Sequence, residues 1–395
     1  MSTVFDVAII GAGAIGNYLA GLLASQGHRV CVLEKRAETG GKQCCTGIVS
    51  IECASLLSPP GELIQFEARS ARVFSPAGRS IRIERENPQA IIVNRPALDR
   101  YLADRAMREG AKYYYSTTVD EIRGTSDQVK LFSTTGQSRM NFSSRVAVIA
   151  SGISPSLVQS AGLGLIRDYA QGAQTEVACK GVSEVEVYSG SQIAPGFFAW
   201  LVPTGDGYAK AGLLCQGNPK LHIERLLKHL EQQGKIADVN SLVWYGAVPL
   251  KPLQKTYSDR LIVVGDAAGQ VKPTTGGGIY FGILCARIAA STLHGALTGD
   301  DLSARRLSAY QKEWHKLLKR ELSIDYWALQ FYRKLTDAQI EYIFGIIERH
   351  AIHESILASP DITFDWHSNV ILDAIKYGSL QRALARLSMK PPPLC

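Results

Sequence analysis

At 395 residues, with 46% hydrophobic and 20% charged side chains, the chain has the balance of a folded globular protein and a length that implies two or three domains. Its formal net charge of +7 is spread along the sequence instead of gathered into one stripe, which argues against nucleic acid as a partner. No run approaches the roughly 20 uninterrupted apolar residues of a membrane-spanning helix. The apolar stretch 4–23 is interrupted by Asp6, Asn17 and glycines and lacks a basic flank, so no signal peptide is expected and a cytoplasmic location is.

Residues 5–10 predict a buried strand ending in a glycine turn, 17–26 a helix closed by Gly27, and 29–33 a second, parallel strand. This βαβ unit opens a doubly wound sheet. Farther along, 97–109 predicts a helix closed by Gly110. The apolar runs 145–150 and 260–264 predict two more strands of the same sheet, the second running into Gly265–Asp266. Between these, 68–92 and 173–250 alternate apolar and polar residues between turn signals, the pattern of a mostly antiparallel sheet. From 303 to 387 the period becomes helical, with Trp314, Leu317, Leu318 and Leu322 on one expected face. The expected fold is therefore α/β. A Rossmann-type nucleotide-binding domain is assembled from 1–67, 93–172 and 251–300, and an inserted antiparallel β domain for substrate comes from 68–92 and 173–250. A C-terminal helical region, 301–389, precedes a disordered tail, 390–395.

Six of the eight cysteines are scattered without zinc-ligand or disulfide spacing, and only the adjacent pair Cys44–Cys45 stands out. Basic clusters at Arg305–Arg306, 312–320 and 376–386 read either as solvated helix faces or as attraction to anionic lipid headgroups or to a phosphorylated ligand.

The first turn is Gly11-Ala12-Gly13-Ala14-Ile15-Gly16, a G-x-G-x-x-G placed after a strand and opening a helix. Gly11 permits the tight turn, Gly13 lets backbone approach a pyrophosphate, and Gly16 lets helix and strand pack closely. The helix N-terminus offers unpaired N–H groups to phosphate. Glu34, followed by Lys35, ends the second strand where an acid accepts hydrogen bonds from ribose hydroxyls, which disfavours a 2′-phosphate at this site.

A downstream segment selects FAD over NAD. The strand ending at Gly265–Asp266 sets a carboxylate where the ribityl hydroxyls of a flavin would lie. Pro273-Thr274-Thr275-Gly276-Gly277-Gly278-Ile279 then opens a helix through Ala290 whose N-terminus favours negative charge on the reduced flavin. The lesser alternative for the glycine run is a flexible loop, which its combination with the N-terminal fingerprint disfavours. The combined layout resembles the flavoproteins of para-hydroxybenzoate hydroxylase architecture. That resemblance implies that Arg95, in Asn94-Arg95-Pro96-Ala97-Leu98-Asp99, lies near the cofactor, and that the backbone of Val119 meets the adenine.

Within that group, the run from Gly265 through Lys272, Pro273 and the three glycines to Tyr280 resembles the signature of the geranylgeranyl reductase family. Cys45-Thr46-Gly47-Ile48-Val49-Ser50 resembles its cysteine segment beside the flavin. Phe198-Ala199-Trp200-Leu201-Val202-Pro203 resembles its aromatic cavity motif, with Phe198 and Val202 in place of tyrosine and phenylalanine. The resemblance covers most of 4–295. It implies saturation of isoprenoid C=C bonds by hydride from reduced FAD, with Gly277, Gly278 and Ile279 beside the flavin. Phe198, Trp200 and Pro203 would contact substrate, with Phe197 in the same cavity, although these aromatics suit a sheet core equally well. Cys45 either delivers a proton or only shapes the pocket, and Cys44 is expected to point elsewhere. One dinucleotide fingerprint implies that electrons arrive from NAD(P)H docking transiently, or from a carrier protein such as ferredoxin. An isoprenoid lipid substrate further implies peripheral contact with membrane lipid. The rival readings are a flavin monooxygenase of a small aromatic or apolar substrate and a non-catalytic flavin or lipid carrier. A quinone-linked dehydrogenase would want an iron–sulfur cysteine cluster. The purified protein should be yellow, with one FAD per chain released on denaturation and quantified by absorbance.

Overall fold

The computed structural model describes residues 4–41, 44–136, 138–237, 242–357 and 363–376. Its centre is the strand Phe5–Ile10, paired in parallel with Val30–Leu33 on one side and Ser138–Ile149 on the other. Leu261–Val263 joins in parallel beyond Ser138–Ile149, and Lys112–Tyr114 beyond Val30–Leu33. Apolar side chains run almost without a break along these strands because both faces are buried. Val7, Ile9, Val146 and Val148 face the helices, whereas Ala8, Ile10, Ala147 and Ile149 face the other way. Helix α1 (Ala14–Ser25) begins three residues before the expected start at 17, because the glycine turn itself forms its first turn with Gly13 as N-cap. Helix α2 (Arg95–Arg108) packs on α1 and is capped by the Asn94 side chain, which accepts from the Ala97 N–H. The opposite face is covered by the antiparallel strands Thr117–Gly124 and Val129–Thr135 instead of by helices alone.

A second sheet of seven strands runs in the order Trp244–Pro249, Tyr169–Ala178, Tyr208–Cys215, Ala199–Gly205, Val185–Tyr188, Ser70–Phe74 and Ser80–Glu84. It is antiparallel except where Val185–Tyr188 meets Ser70–Phe74. Helix α3 (Pro219–Gln232) buries Ile223, Leu226, Leu227 and Leu230 against one face. The inserted material is not one sheet, however. Ile48–Ser50, Ala90–Val93 and Ile64–Ala68 form a separate three-stranded sheet. Its middle strand, Ala90–Val93, is buried throughout, with Ile91 and Val93 on one side and Ala90 and Ile92 on the other.

Helix α4 (Ile279–Thr298) packs between α1 and the long helix α5 (Ala304–Tyr332). By length and mean hydropathy α4 would suffice to cross a bilayer, although Arg287 interrupts its apolar run. Here Phe281, Ile283, Ala286, Ala289 and Leu293 are instead buried in the protein core. On α5 the buried stripe is Leu307, Tyr310, Trp314, Leu318 and Leu322. Leu317 falls off it and is 41% exposed, because a 3.6-residue period carries 314, 318 and 322 to one side. The expected tail 390–395 and the end of the expected helical region lie outside the described residues. Trp314 is fully buried, and its indole N–H donates to Thr256 Oγ1 at 3.1 Å. Trp314→Ala should lower stability by about 3–5 kcal/mol and Leu317→Ala by less than about 0.5 kcal/mol, read by chemical denaturation of the two variants side by side.

Candidate flavin site and adjoining cavity

The glycine turn is dictated by close approach. At Gly16 a Cβ would lie 2.0 Å from the Gly11 carbonyl oxygen, and at Gly11, whose φ is +107°, a Cβ would meet Ala150 O at 2.6 Å. Gly13 differs: its φ is ordinary and a Cβ there would meet nothing within 4 Å. No side chain caps α1, so its first N–H groups point into that open space with Ala14 and Ile15 at their base. Glu34 is buried, accepting from Ala12 N–H at 2.7 Å and Arg36 N–H at 2.9 Å. It therefore ties the glycine turn to the end of its strand, with lone pairs left over for a ribose. Lys35 is exposed at this rim. Thr117 N–H donates to Glu34 O at 2.8 Å, which brings the strand of Val119 to the same end of the sheet.

Arg95 is buried at the start of α2, with Nη1 donating to the Asp99 carboxylate and Nε left without a partner. Burial works against its charge, but Asp99 and the adjacent Cys45 thiol hold the guanidinium above its usual value. Asp266 sits in the short turn after Leu261–Val263, and its carboxylate accepts no hydrogen bond among the described residues. Burial raises its pKa, opposed by Arg95. An unpartnered guanidinium nitrogen, a bare carboxylate and the open space over Gly13 are what a pyrophosphate and a ribityl chain would occupy, so the residues fit FAD. The three glycines before α4 have a reason beyond a flat ring. A Cβ at Gly276 would press on Leu214 at 2.9 Å, at Gly277 on Lys272 at 2.8 Å, and at Gly278 on Asp266 Oδ1 at 2.7 Å. Ile279 follows as the first residue of α4.

Beside this loop lies a cavity of about 640 Å³, walled mainly by apolar residues that include Trp200, Phe198, Val187, Leu214 and Val248. The Phe198 and Trp200 ring centroids are 5.8 Å apart. Trp200 pairs with Gly212 across the strands, and a Cβ at Gly212 would lie 2.6 Å from the indole, so the missing side chain makes room for it. Strand alternation sends Trp200 and Val202 to the cavity. Pro203 lies one residue out of phase and is buried away from it, which corrects its expected role as a substrate contact. Phe197 is likewise in a core cluster with Leu250 and Leu329, beneath the Arg333 guanidinium.

Cys45, Thr46 and Gly47 line the cavity and are clamped from the seven-stranded sheet. Gln174 Nε2 donates to Cys45 O at 3.1 Å, Thr46 Oγ1 donates to Gln174 Oε1 at 3.0 Å, and Lys210 Nζ donates to Thr46 O at 2.8 Å. Burial holds the Lys210 ammonium below its usual value, with Cys45 and Glu176 pulling it back. Cys44 does not point elsewhere: it packs on Gly246 and contributes to the same cavity wall. Burial pushes its thiol up to about 12, helped by Cys45. Sequence reasoning missed Gln174 and Lys210, which lie 129 and 164 residues from their partners. It also missed the buried pair Lys272–Asp365, 2.6 Å apart, at the cavity's polar end. No local pattern marks Gln174, Lys210 or Asp365, and the signature run that contains Lys272 does not reveal its partner.

The fold and this site define a flavin-dependent oxidoreductase, and the family model for an FAD binding domain matches residues 4–173. The chain belongs to the geranylgeranyl reductase family. It is 31% identical over 326 residues to the digeranylgeranylglycerophospholipid reductase of Methanocaldococcus jannaschii, covering 80% of this chain and 83% of that protein. In fold it is similar to a geranylgeranyl bacteriochlorophyll reductase-like protein from Thermoplasma acidophilum, with a TM-score of 0.85 at 22% identity, covering 98% of this chain and 100% of that one. More distantly it is similar to the p-nitrophenol 4-monooxygenase of Pseudomonas putida, with a TM-score of 0.71 at 16% identity, covering 90% and 97% of the two chains. Asp266→Ala should weaken FAD binding by about 1–3 kcal/mol, the scale of hydrogen bonds to a charged group. Gly13→Ala should fold yet bind FAD poorly, because its methyl fills the space left for pyrophosphate. Cofactor titration monitored by fluorescence checks both.

Proposed function

We propose that the chain is an FAD-dependent reductase that saturates C=C bonds in the geranylgeranyl chains of lipids. The observation that carries this is the apolar cavity opening on the glycine loop before α4 and on Cys45, a space suited to a hydrocarbon chain and not to a polar substrate. An isoprenoid alkene has no carbonyl to polarise it, so its reduction needs a strong hydride donor and a separate proton. Reduced FAD supplies the hydride when bound.

The chain's own residues supply the rest. Phe198 and Trp200 hold the isoprenoid by contact area and keep water out. Cys45 delivers the proton to the carbon that does not receive the hydride. Arg95 and Lys210 flank it and offset the negative charge left on sulfur. Gln174 and Lys210 fix the backbone that carries the thiol. The N-terminus of α4 points its unpaired N–H groups at the flavin side of the cavity. Electrons reach the flavin from NAD(P)H or from a ferredoxin-like carrier, and the positive balance of the chain favours transient contact with anionic lipid.

The monooxygenase reading shares the architecture, so the test is run without oxygen. After anaerobic reduction, a geranylgeranyl lipid should reoxidise the flavin in stopped flow. Cys45→Ala should keep FAD and lose about 10²–10⁴-fold in that rate, whereas Cys44→Ala should change it little. Equal rates in Cys45→Ala and the parent would make the thiol only part of the wall. No reoxidation by lipid in the parent would remove the reductase reading.

A further inference from the structure

Thr274 and His367 line the cavity, and behind them α5 places Asp325, which is fully buried. Thr274 Oγ1 is 3.1 Å from Asp325 Oδ2 and 3.3 Å from His367 Nδ1, while His367 Nε2 is 3.0 Å from Phe364 O. A carbonyl oxygen only accepts, so Nε2 carries a hydrogen. In a neutral ring Nδ1 is then an acceptor, and the single hydroxyl proton of Thr274 goes to it. Thr274 Oγ1 in turn accepts from Asp325, which must carry a proton. The same three contacts are equally satisfied if that proton moves to His367 Nδ1. Thr274 then donates to an ionised Asp325 and accepts from the ring. The two arrangements differ by one proton passed through Thr274.

Burial decides which arrangement rests. Asp325 Oδ1 has no hydrogen-bond partner, so an ionised carboxylate there would be poorly compensated. Burial and the Glu321 carboxylate push Asp325 up to about 7, against Thr274 and Lys272. Burial and Lys272 hold His367 down to about 4, against Phe364 O, Glu321 and Asp365. The other charged groups here are engaged: Glu321 accepts from the His367 and Ser368 N–H groups, and Lys272 is paired with Asp365.

We propose that Asp325, Thr274 and His367 are a proton relay that returns to the cavity the proton each reduction consumes. The inference rests on the reductase reading above. In one turnover the alkene π bond breaks and two C–H bonds form, one from a hydride whose loss leaves the flavin oxidised and one from a proton. The external hydride or electron donor re-reduces the flavin. The group that gave the proton is left negative; the protonated His367, which lines the cavity, hands a proton to it through water admitted once the product leaves, and Asp325, left ionised, takes one from solvent. Because the Asp325 proton is present below a pH of about 7 and lost above it, turnover should fall as pH rises through that range.

Asp325→Asn separates this from a structural role, since its amide N–H donates to Thr274 as the protonated acid does but has no proton to give. In the FAD-loaded full chain, Asp325→Asn should keep the first anaerobic reoxidation by a geranylgeranyl lipid. Steady-state turnover should drop roughly 10²-fold, and the fall near pH 7 should disappear. Infrared difference spectra should show a protonated carboxyl C=O band in the parent that titrates near pH 7 and is absent from the variant. If Asp325→Asn does not hold FAD, Thr274→Val should reproduce the loss of turnover and Thr274→Ser restore it. Unchanged turnover and pH profile in these variants, or a first turnover slowed as much as the steady state, would overturn the relay. So would the absence of the titrating band in the parent, a result independent of whether any lipid reacts.

Discussion

A guanidinium taken out of water must be surrounded by compensating groups, and the placement of Arg95 organises the rest of this protein. Arg95 follows directly on the buried strand Ala90–Val93 and starts the helix that packs on α1. Its partner Asp99 sits one turn on, where the Asp99 carbonyl also accepts from Asn17 of α1 at 3.0 Å. Asn17 in turn donates to Ala12 O within the glycine turn at 2.9 Å. The Cys45 thiol completes the ring of neighbours. One cation thus connects the three-stranded sheet, the dinucleotide turn and the cysteine segment. One nitrogen of that guanidinium, Nε, is left without a partner among the described residues.

The cavity is built by subtraction as much as by side chains. Gly212 makes room for the indole of Trp200, and Gly246 for Cys44, while Gly276 is pressed by Leu214. The seven-stranded sheet therefore presents a wall of large apolar groups seated over glycines. Its other face is filled by α3 and by small residues such as Ala173, Ala199, Ala209 and Ala211. Charged groups of the wall meet at one place, where Lys272 and Asp365 lie with Thr274 and His367. A hydrocarbon chain excludes water from most of this volume, which makes the origin of each proton a structural question and not a matter of diffusion.

The two cysteines show how the fold, and not adjacency in sequence, decides a side chain's surroundings. Cys44 packs on Gly246 of the edge strand, and desolvation keeps its proton on. Cys45, one residue on, has Arg95 and Lys210 beside it and a backbone clamped by Gln174. The same chain segment thus carries two thiols in different surroundings, one desolvated against the edge strand and one beside two cations.

Much of the architecture was legible in the residues. A strand, a G-x-G-x-x-G turn and a helix interact within about 30 positions, so their pattern is local: the turn gives Gly11 a positive φ and brings Gly16 against the Gly11 carbonyl, where only glycine fits. Period-2 alternation likewise places Trp200 on the cavity side, and the same rule, applied strictly, removes Pro203 from it. Leu317 leaves the core for the matching helical reason. What the sequence could not determine is anything that depends on which strands become neighbours. The clamp of Gln174 and Lys210 on Cys45–Gly47 and the meeting of Thr274, Asp325 and His367 each join segments 50 to 165 residues apart, and the separate three-stranded sheet pairs strands up to 44 residues apart. Isolated polar residues of this kind carry no periodicity. Only the packed chain decides whether water, a backbone group or another side chain satisfies them, and that choice sets their charge and their chemistry.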